Sequence, residues 1–197
     1  DGVIGRLLVE VADGLAAGSD QDQAEQWVER TRDLDGDLDA AWALVRQARE
    51  SARLNPRRSA RGLRDPQEWH ELLTRMEQAV AETRSMARTL ALSLADGRHW
   101  DPAFRERFVA VLHRSGQAID AADQEPLRVA RAELDEVVAQ VARAGLEDRL
   151  WPEYGAVLTN LRNVLDAMDE VARANPLGQP PLPLRRRPAQ QRGGARP

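Results

Sequence analysis

This sequence predicts an all-α fold, a long antiparallel helical bundle with coiled-coil-like hairpins, and three observations support that prediction. Aromatic strand formers are scarce, with two Phe and one Tyr in 197 residues, whereas Ala, Leu, Arg, Glu and Gln abound and enter helices at little cost. Apolar residues recur three or four apart over long segments. Residues typical of helix ends separate those segments.

The first helix is predicted from Val3 to Ala17. Gly18 ends it, since glycine is the residue best suited to the left-handed turn after a helix. The sequence opens at Asp1 without an initiator Met and is apolar almost at once, so we expect a further segment upstream.

A second helix follows Asp20, whose side chain can cap it by accepting a backbone N–H bond. Its apolar stripe is Ala24, Trp27, Thr31, Leu34, Leu38, Trp42, Val45, Ala48 and Ala52. Pro56 ends the helix because it lacks the N–H needed to continue. Whether Gly36 interrupts the helix is left open, since one glycine costs about 1 kcal/mol without forcing a break. A basic loop, Arg57 to Arg64, comes next.

Two further helices share one start signal, an aspartate followed by proline. Asp65-Pro66 opens a helix that should reach Ala95, and Asp101-Pro102 opens the fourth. Their apolar stripes are Trp69, Leu72, Met76, Val80, Thr83, Ala87, Leu90 and Leu94, then Phe104, Phe108, Val111, Leu112 and Ile119. Sustained spacings of this kind favour near-antiparallel packing.

The fifth helix is predicted to begin near Pro126 and to end at Gly145, and the sixth to run from about Leu150 to Ala174. Their stripes are Leu127, Ala130, Leu134, Val137 and Val141, then Trp151, Tyr154, Leu158, Leu161, Leu165, Met168 and Ala172. We therefore expect a helical bundle domain over residues 1–175.

Residues 176–197 are predicted to be a disordered tail rich in Pro and Arg, because they cannot bury enough apolar area to offset the entropy of ordering. The tail carries five Arg and no acid, whereas the whole chain has a net charge of −4, so the remainder is acidic. Contact of Arg185, Arg186 and Arg187 with an anionic membrane surface is one hypothesis, and a polyproline-binding partner at Pro180 to Arg185 is another. Nucleic-acid binding is not expected of so acidic a body.

No set of residues for catalysis, metal binding or cofactor binding is recognisable, so a non-enzymatic protein is predicted. With no Cys, thiol chemistry and Cys-ligated zinc are excluded. His70, His99 and His113 are the only histidines, and none lies three or four residues from another. The acidic run from Asp33 to Asp39 fails as a calcium loop, because a loop centred on Gly36 would begin at Thr31 and end at Trp42. A solvated helix face explains this run better.

Four of the five Trp fall on apolar stripes: Trp27, Trp42, Trp69 and Trp151. Packing in the core is the simpler interpretation, and an aromatic-lined pocket between helices is the alternative. Trp100 lies in a loop and fits either interpretation.

Two sequence segments, which we call the two phrases, are more specific than the overall composition. They are Ala48 to Arg58 (ARESARLNPRR) and Leu150 to Arg162 (LWPEYGAVLTNLR). In this order and at this separation they resemble the cytoplasmic C-terminal region of actinobacterial FUSC-type aromatic acid exporter family proteins, over most of Val3 to Ala174. The resemblance implies a parent membrane transporter for aromatic acids or other small molecules, with membrane helices upstream. It also implies that this region lies on the cytoplasmic side of the membrane.

This resemblance makes the leading hypothesis a non-catalytic domain that assembles or regulates a transporter. Its expected partners are the protein's own transmembrane domain and further copies of the chain. Two alternatives stay open: a soluble helical scaffold or adaptor, and a bundle that senses an aromatic ligand through its Trp side chains.

Overall fold

The computed structural model describes residues 2–54, 66–97, 100–144 and 151–174, and these form six helices with no strand among them. The helices are α1 (Gly2–Ala17), α2 (Gln21–Leu54), α3 (Pro66–Ala95), α4 (Pro102–Ala121), α5 (Gln124–Ala144) and α6 (Trp151–Ala174). The predicted all-α class is confirmed. The predicted basic loop, the end of the fifth helix at Gly145, the position of His99 and the tail from residue 176 lie outside the described residues.

Helix ends follow the predicted capping chemistry. Gly18 has φ of 84° after α1, and the Asp20 side chain then accepts a hydrogen bond from the Gln23 amide at 3.0 Å. Asp101 accepts from the Phe104 amide at 2.8 Å, with Pro102 at the first helical position. These bonds satisfy N–H groups that have no partner within the first turn of a helix.

The fifth helix begins two residues earlier than predicted, at Gln124 rather than Pro126. The reason is Asp123, whose side chain accepts from the Glu125 amide at 3.2 Å, so that proline lies inside the first turn, where its missing N–H costs nothing. Arg128 hydrogen-bonds Glu125 and thereby lowers the pKa of that carboxyl below its ordinary value. The negative charge also suits the positive end of the helix dipole.

The question left open at Gly36 is answered by a continuous α2 of 34 residues. A methyl group added at Gly36 would meet no atom within 4 Å, so this glycine serves no close contact.

The helices pack in antiparallel pairs, as charged contacts between them show. Those contacts are Arg6 with Asp120 for α1 and α4, Arg75 with Glu170 for α3 and α6, Arg84 with Asp35 for α3 and α2, Arg114 with Glu133 for α4 and α5, and Arg162 with Asp135 for α6 and α5. Helix α2 packs mainly on α3 and also contacts α1, while α5 packs on α4 and α6. Four helices, α1, α3, α4 and α6, therefore form the centre, with α2 and α5 on opposite sides.

Glycine permits the closest helix crossing. A methyl group on Gly116 of α4 would lie 2.6 Å from the Gly5 carbonyl oxygen and 2.9 Å from the Val9 amide nitrogen of α1, and one on Gly5 would lie 2.5 Å from the Gly116 carbonyl oxygen. All of these are backbone atoms, which cannot swing aside. The two helices can approach this closely only because neither glycine carries a side chain.

The chain consists of two equivalent three-helix halves, α1–α3 and α4–α6. Seven buried residues of α1 recur as buried residues of α4, each 104 positions later: 4, 7, 8, 11, 12, 14 and 15 correspond to 108, 111, 112, 115, 116, 118 and 119. Five of α2 recur in α5 at a shift of 103: 24, 27, 31, 34 and 38 correspond to 127, 130, 134, 137 and 141. Seven of α3 recur in α6 at a shift of 78: 79, 80, 83, 86, 87, 90 and 93 correspond to 157, 158, 161, 164, 165, 168 and 171.

Equivalent residues are 103 positions apart in α2 and α5 but only 78 positions apart in α3 and α6. The first half therefore has an insertion between α2 and α3. Between the equivalent positions Ala41 and Leu73 the first half has 31 residues, whereas the second half has six, 145–150, between Ala144 and Trp151. We call residues 42–72 the arm. Its described parts are the second half of α2, residues 42–54, and the start of α3, residues 66–72.

Candidate functional site

The histidines form no catalytic or metal-binding group in the described part of the chain. His70 is exposed on α3 and meets the ring of Trp42 edge-on, with centroids 4.9 Å apart. His113 of α4 has Nε2 at 3.6 Å from a carboxylate oxygen of Asp13 of α1. Within the described ranges, no three His, Asp or Glu side chains are grouped so as to hold a metal ion.

The acidic run lies within the continuous helix α2, as the solvated-face interpretation predicted. Leu34 and Leu38 of this run are buried, while Asp33, Asp37 and Asp39 are exposed. The Asp35 side chain instead accepts a hydrogen bond from Arg84 of α3 and so joins two helices. Carboxylates on a straight helix point outward in different directions, so this segment does not form a calcium loop.

The Trp residues do not converge on one place. Trp27 is fully buried, as core packing predicts, whereas Trp42 and Trp69 are half-buried in the arm. Trp151 departs from core packing, because 48% of it is exposed. Its equivalent in the first half is the buried Leu73, so the stripe position is shared but the degree of burial is not.

Trp100 belongs to an aromatic cluster at the start of α4. Its ring contacts those of Phe104, Phe108 and Tyr154 at centroid distances of 5.3, 5.7 and 5.5 Å, and its Nε1 donates to Ser93 Oγ at 2.7 Å. The Tyr154 hydroxyl accepts from the Asp101 amide at 2.8 Å. The rings and their polar atoms are thus mutually satisfied, which is the arrangement of a structural cluster.

The α2 part of the arm carries an exposed apolar side chain and no described buried one. None of the described side chains from Asp39 to Glu50 is buried, and 67% of Leu44 is exposed. Trp42 and Val45 are half-buried, although they continue the apolar stripe of α2 whose earlier members are buried. The Trp42 indole N–H donates to Glu77 of α3 at 2.5 Å, which joins the two helices of the arm at its base.

The charge of the arm is opposite to that of the body. Arg46 and Arg49 are exposed, and neither has an acidic partner among the described residues. The arm as a whole carries seven Arg and four acids, within a chain whose net charge is −4. The arm and the rest of the helical body thus carry net charges of opposite sign.

Neither the duplication nor the arm as a distinct element was predicted from the sequence. A signal was present: the spacing of Leu7, Leu8 and Val11 recurs in Val111, Leu112 and Ser115, and each first helix ends at a turn with positive φ, at Gly18 and Ala122. The repeat is hidden because the residue types at equivalent positions differ while their burial agrees.

Comparison with known proteins adds no family or fold assignment: no protein family, curated protein or solved structure matches this chain. None of the helices in the described ranges combines the length and hydropathy required to span a membrane.

Proposed function

We propose that this chain is a non-catalytic helical domain of a FUSC-like membrane transporter for aromatic acids or other small molecules, and that it serves assembly or regulation on the cytoplasmic side of the membrane. The observation that carries the proposal is the pair of phrases, Ala48 to Arg58 and Leu150 to Arg162, which resemble the C-terminal region of that family. The all-helical fold is compatible with this role.

The two phrases occupy different positions in the fold. The described part of the first, residues 48–54, lies in the arm, and the described part of the second, residues 151–162, forms the first half of α6. One phrase therefore lies in the arm, and the other in the helix that packs on α3. This division is consistent with one phrase serving contact outside the domain and the other serving its stability.

The partners that we propose are the transmembrane domain of the same protein, further copies of the chain, and an anionic membrane surface for the arginines at 185, 186, 187, 192 and 196. Each lysine or arginine near an anionic surface contributes on the order of 1 kcal/mol. Nucleic acid is not among them.

Alkaline-carbonate fractionation of the full-length gene product, tagged at its C-terminus, tests the proposal. We expect the product to stay in the membrane pellet, since carbonate strips peripheral proteins and leaves spanning helices in place. A known peripheral protein in the same cells serves as the control for stripping. Release of the product into the supernatant would contradict the transporter assignment.

A soluble scaffold or adaptor is the second candidate function, and the arm is the observation that favours it. In the described part of the arm Leu44 is exposed and Trp42 and Val45 are half-buried, and apolar side chains that the core does not fully bury can serve contact with another protein. This function predicts a soluble parent and a stable partner in affinity purification. The partner should be lost when residues 42–72 are replaced by residues 145–150, the short connection of the second half.

A further inference from the structure

The two halves of the molecule meet through pairs of equivalent helices. Helix α1 packs on its equivalent α4, and α3 packs on its equivalent α6. Both pairs run antiparallel. Equivalent helices that pack antiparallel on each other are related by an approximate two-fold axis, as the subunits of a symmetric dimer are. In such an arrangement a half could also pack on a copy of itself, so the side chains at the junction decide which half each half binds.

A layer of polar side chains crosses the junction between α3 and α6. Asn163 Nδ2 donates to Glu82 Oε1 at 3.1 Å. The orientation of the Asn160 amide is assigned from its neighbours, since donors face acceptors only when Nδ2 points towards Glu82. In that orientation Nδ2 donates to Glu82 Oε2 at 3.0 Å, and Oδ1 accepts from Ser85 Oγ at 3.2 Å. Asn160 is buried, so these bonds satisfy polar atoms that water does not reach freely.

The four members of this layer occupy two pairs of equivalent positions. At the shift of 78 that relates α3 to α6, Glu82 corresponds to Asn160. Ser85 corresponds to Asn163 at the same shift. Glu82 therefore faces its own equivalent across the approximate axis, and one half supplies the carboxylate while the other supplies the amide that donates to it. The halves share the positions of the layer but not its residue types.

This layer favours the pairing of unlike halves. If α3 packed in the same way on α3 of a second copy, Glu82 would face Glu82, and two carboxylates at that distance repel each other. Two α6 helices would place Asn160 opposite Asn160, which removes the hydrogen bonds to a charged acceptor. An acid and an amide face each other only when the two halves differ.

The crossing of α1 and α4 favours the same pairing through its shape. A methyl group on Gly5 would lie 2.5 Å from the Gly116 carbonyl oxygen, and one on Gly116 would lie 2.6 Å from the Gly5 carbonyl oxygen. At the shift of 104, the equivalent of Gly5 is Val109 and the equivalent of Gly116 is Ala12. Two α1 helices would thus set Ala12 against Gly5. Two α4 helices would set Val109 against Gly116, so either like pairing forces a Cβ into backbone atoms or separates the helices.

We propose that these two contacts make each half of the chain select the unlike half, so that the halves bind each other and reject the like half of a second copy. The Glu82–Asn160 pair selects through charge and hydrogen bonding, and the Gly5–Gly116 crossing selects through shape. A polar residue at a helix interface can fix which helices pair, at a cost in stability. Copies of the chain that assemble therefore use other surfaces than the junction of the halves. The proposal goes beyond the proposed function and does not rest on it.

Single substitutions in the whole chain reproduce the contacts of like halves, and thermal unfolding followed by circular dichroism measures their effect. Asn160→Glu recreates the contact of two first halves and should lower the unfolding midpoint by at least about 6 °C. Glu82→Asn recreates the contact of two second halves and should lower it by about 2 to 6 °C. Gly116→Ala recreates the crossing of two α1 helices and should lower it by about 2 to 8 °C.

Exchange of the two residues across the axis separates selection from a role of Glu82 in its own half. The double variant Glu82→Asn with Asn160→Glu again sets one acid opposite one amide and should unfold within about 3 °C of the wild-type chain. If Asn160→Glu alone fails to fold, the double variant should still fold. Glu71→Asn is the matched control, since it makes the same change at an exposed position of α3 and should shift the midpoint by less than about 2 °C.

Two results would overturn the proposal. A double variant that unfolds no higher than Asn160→Glu, or that fails to fold, would show that Glu82 is required by its own half rather than by the residue opposite. Midpoints of Asn160→Glu and Gly116→Ala equal to that of the wild-type chain would show that like halves fit each other as well as unlike halves do.

Discussion

The hairpins α2–α3 and α5–α6 occupy equivalent places in the two halves, but the chain that joins their shared parts is longer in α2–α3. Both begin with the same pattern of buried positions, but α5–α6 turns within six residues while α2–α3 extends through the arm. We call the residues of each half that have an equivalent in the other half the shared part. In the shared part of α2 every stripe residue from Ala24 to Leu38 is buried, whereas in the arm Trp42 and Val45 are only half-buried. The same helical periodicity thus accompanies full burial in the shared part and partial burial in the described part of the arm.

This difference assigns separate roles to the two regions. The shared part of each half buries its stripes against neighbouring helices, with α2 on α1 and α3 and α5 on α4 and α6, and these contacts stabilise the domain. In the described part of the arm, Leu72 is buried while Trp42 and Val45 pack only partly against the core. The described part of the arm therefore contributes less to the core than the shared part does.

The largest expected effect comes from the equivalent core leucines, Leu8 of α1 and Leu112 of α4, both with no exposed area. Leu8→Ala and Leu112→Ala should each lower the free energy of unfolding by about 2 to 5 kcal/mol, through lost apolar burial and a cavity. Urea unfolding followed by circular dichroism measures both. Losses that differ by more than about 2 kcal/mol would show that the two halves are not equivalent in energy.

A smaller loss is expected at the crossing of α1 and α4. Gly116→Ala should lower the free energy of unfolding by about 1 to 2 kcal/mol, because overpacking against backbone atoms outweighs the better helix propensity of alanine. Gly36→Ala is the control, since its methyl group meets only open space, and it should stabilise the chain by about 0.5 to 1 kcal/mol. Stabilisation by both changes would contradict the close approach of the two helices.

Tyr154 tests a contact that exists in only one half. Tyr154→Phe keeps the ring against Phe104 but removes the hydroxyl that accepts from the Asp101 amide, and should cost about 1 kcal/mol. Met76→Leu at the equivalent position changes no hydrogen bond and should cost less than 1 kcal/mol. Equal effects in thermal unfolding would indicate that the hydroxyl contributes nothing to the start of α4.

Removal of the arm is the largest change to the chain, and we expect it to have a small effect on the free energy of unfolding. Replacing residues 42–72 by residues 145–150 joins Ala41 to Leu73 as Ala144 is joined to Trp151, and should cost less than Leu8→Ala. Among the arm residues whose burial the structure describes, the buried one is Leu72, at the edge of the core. Differential scanning calorimetry should show one cooperative transition close to that of the wild-type chain. Failure of this variant to fold would show that the arm is part of the core.

Much of the fold could be predicted from the sequence, because its signals are local. The Asp-Pro start at Pro102, the cap at Asp20 and the turn at Gly18 depend on backbone groups a few residues away, and all three are confirmed. The start of α5 was misjudged at Pro126, since proline is accepted anywhere in the first turn and the capping residue, Asp123, is the better guide.

The candidate site could not be predicted from the periodicity of the sequence. Leu38 and Trp42 occupy the same stripe, yet one is 7% exposed and the other is half-buried, and no local property of α2 distinguishes them. Their difference depends on how the neighbouring helices pack against each position. The equivalence of Tyr154 and Met76 likewise depends on α3 and α6 packing against each other.

What the sequence by itself determined is the helical class, the ends of the helices and the face that each turns inward, because capping and apolar spacing act within one helix. Only the tertiary structure decided that two three-helix halves repeat and that Gly5 and Gly116 meet. These features arise between helices far apart in the chain, where burial is set by the neighbour's position rather than by the residue's own type.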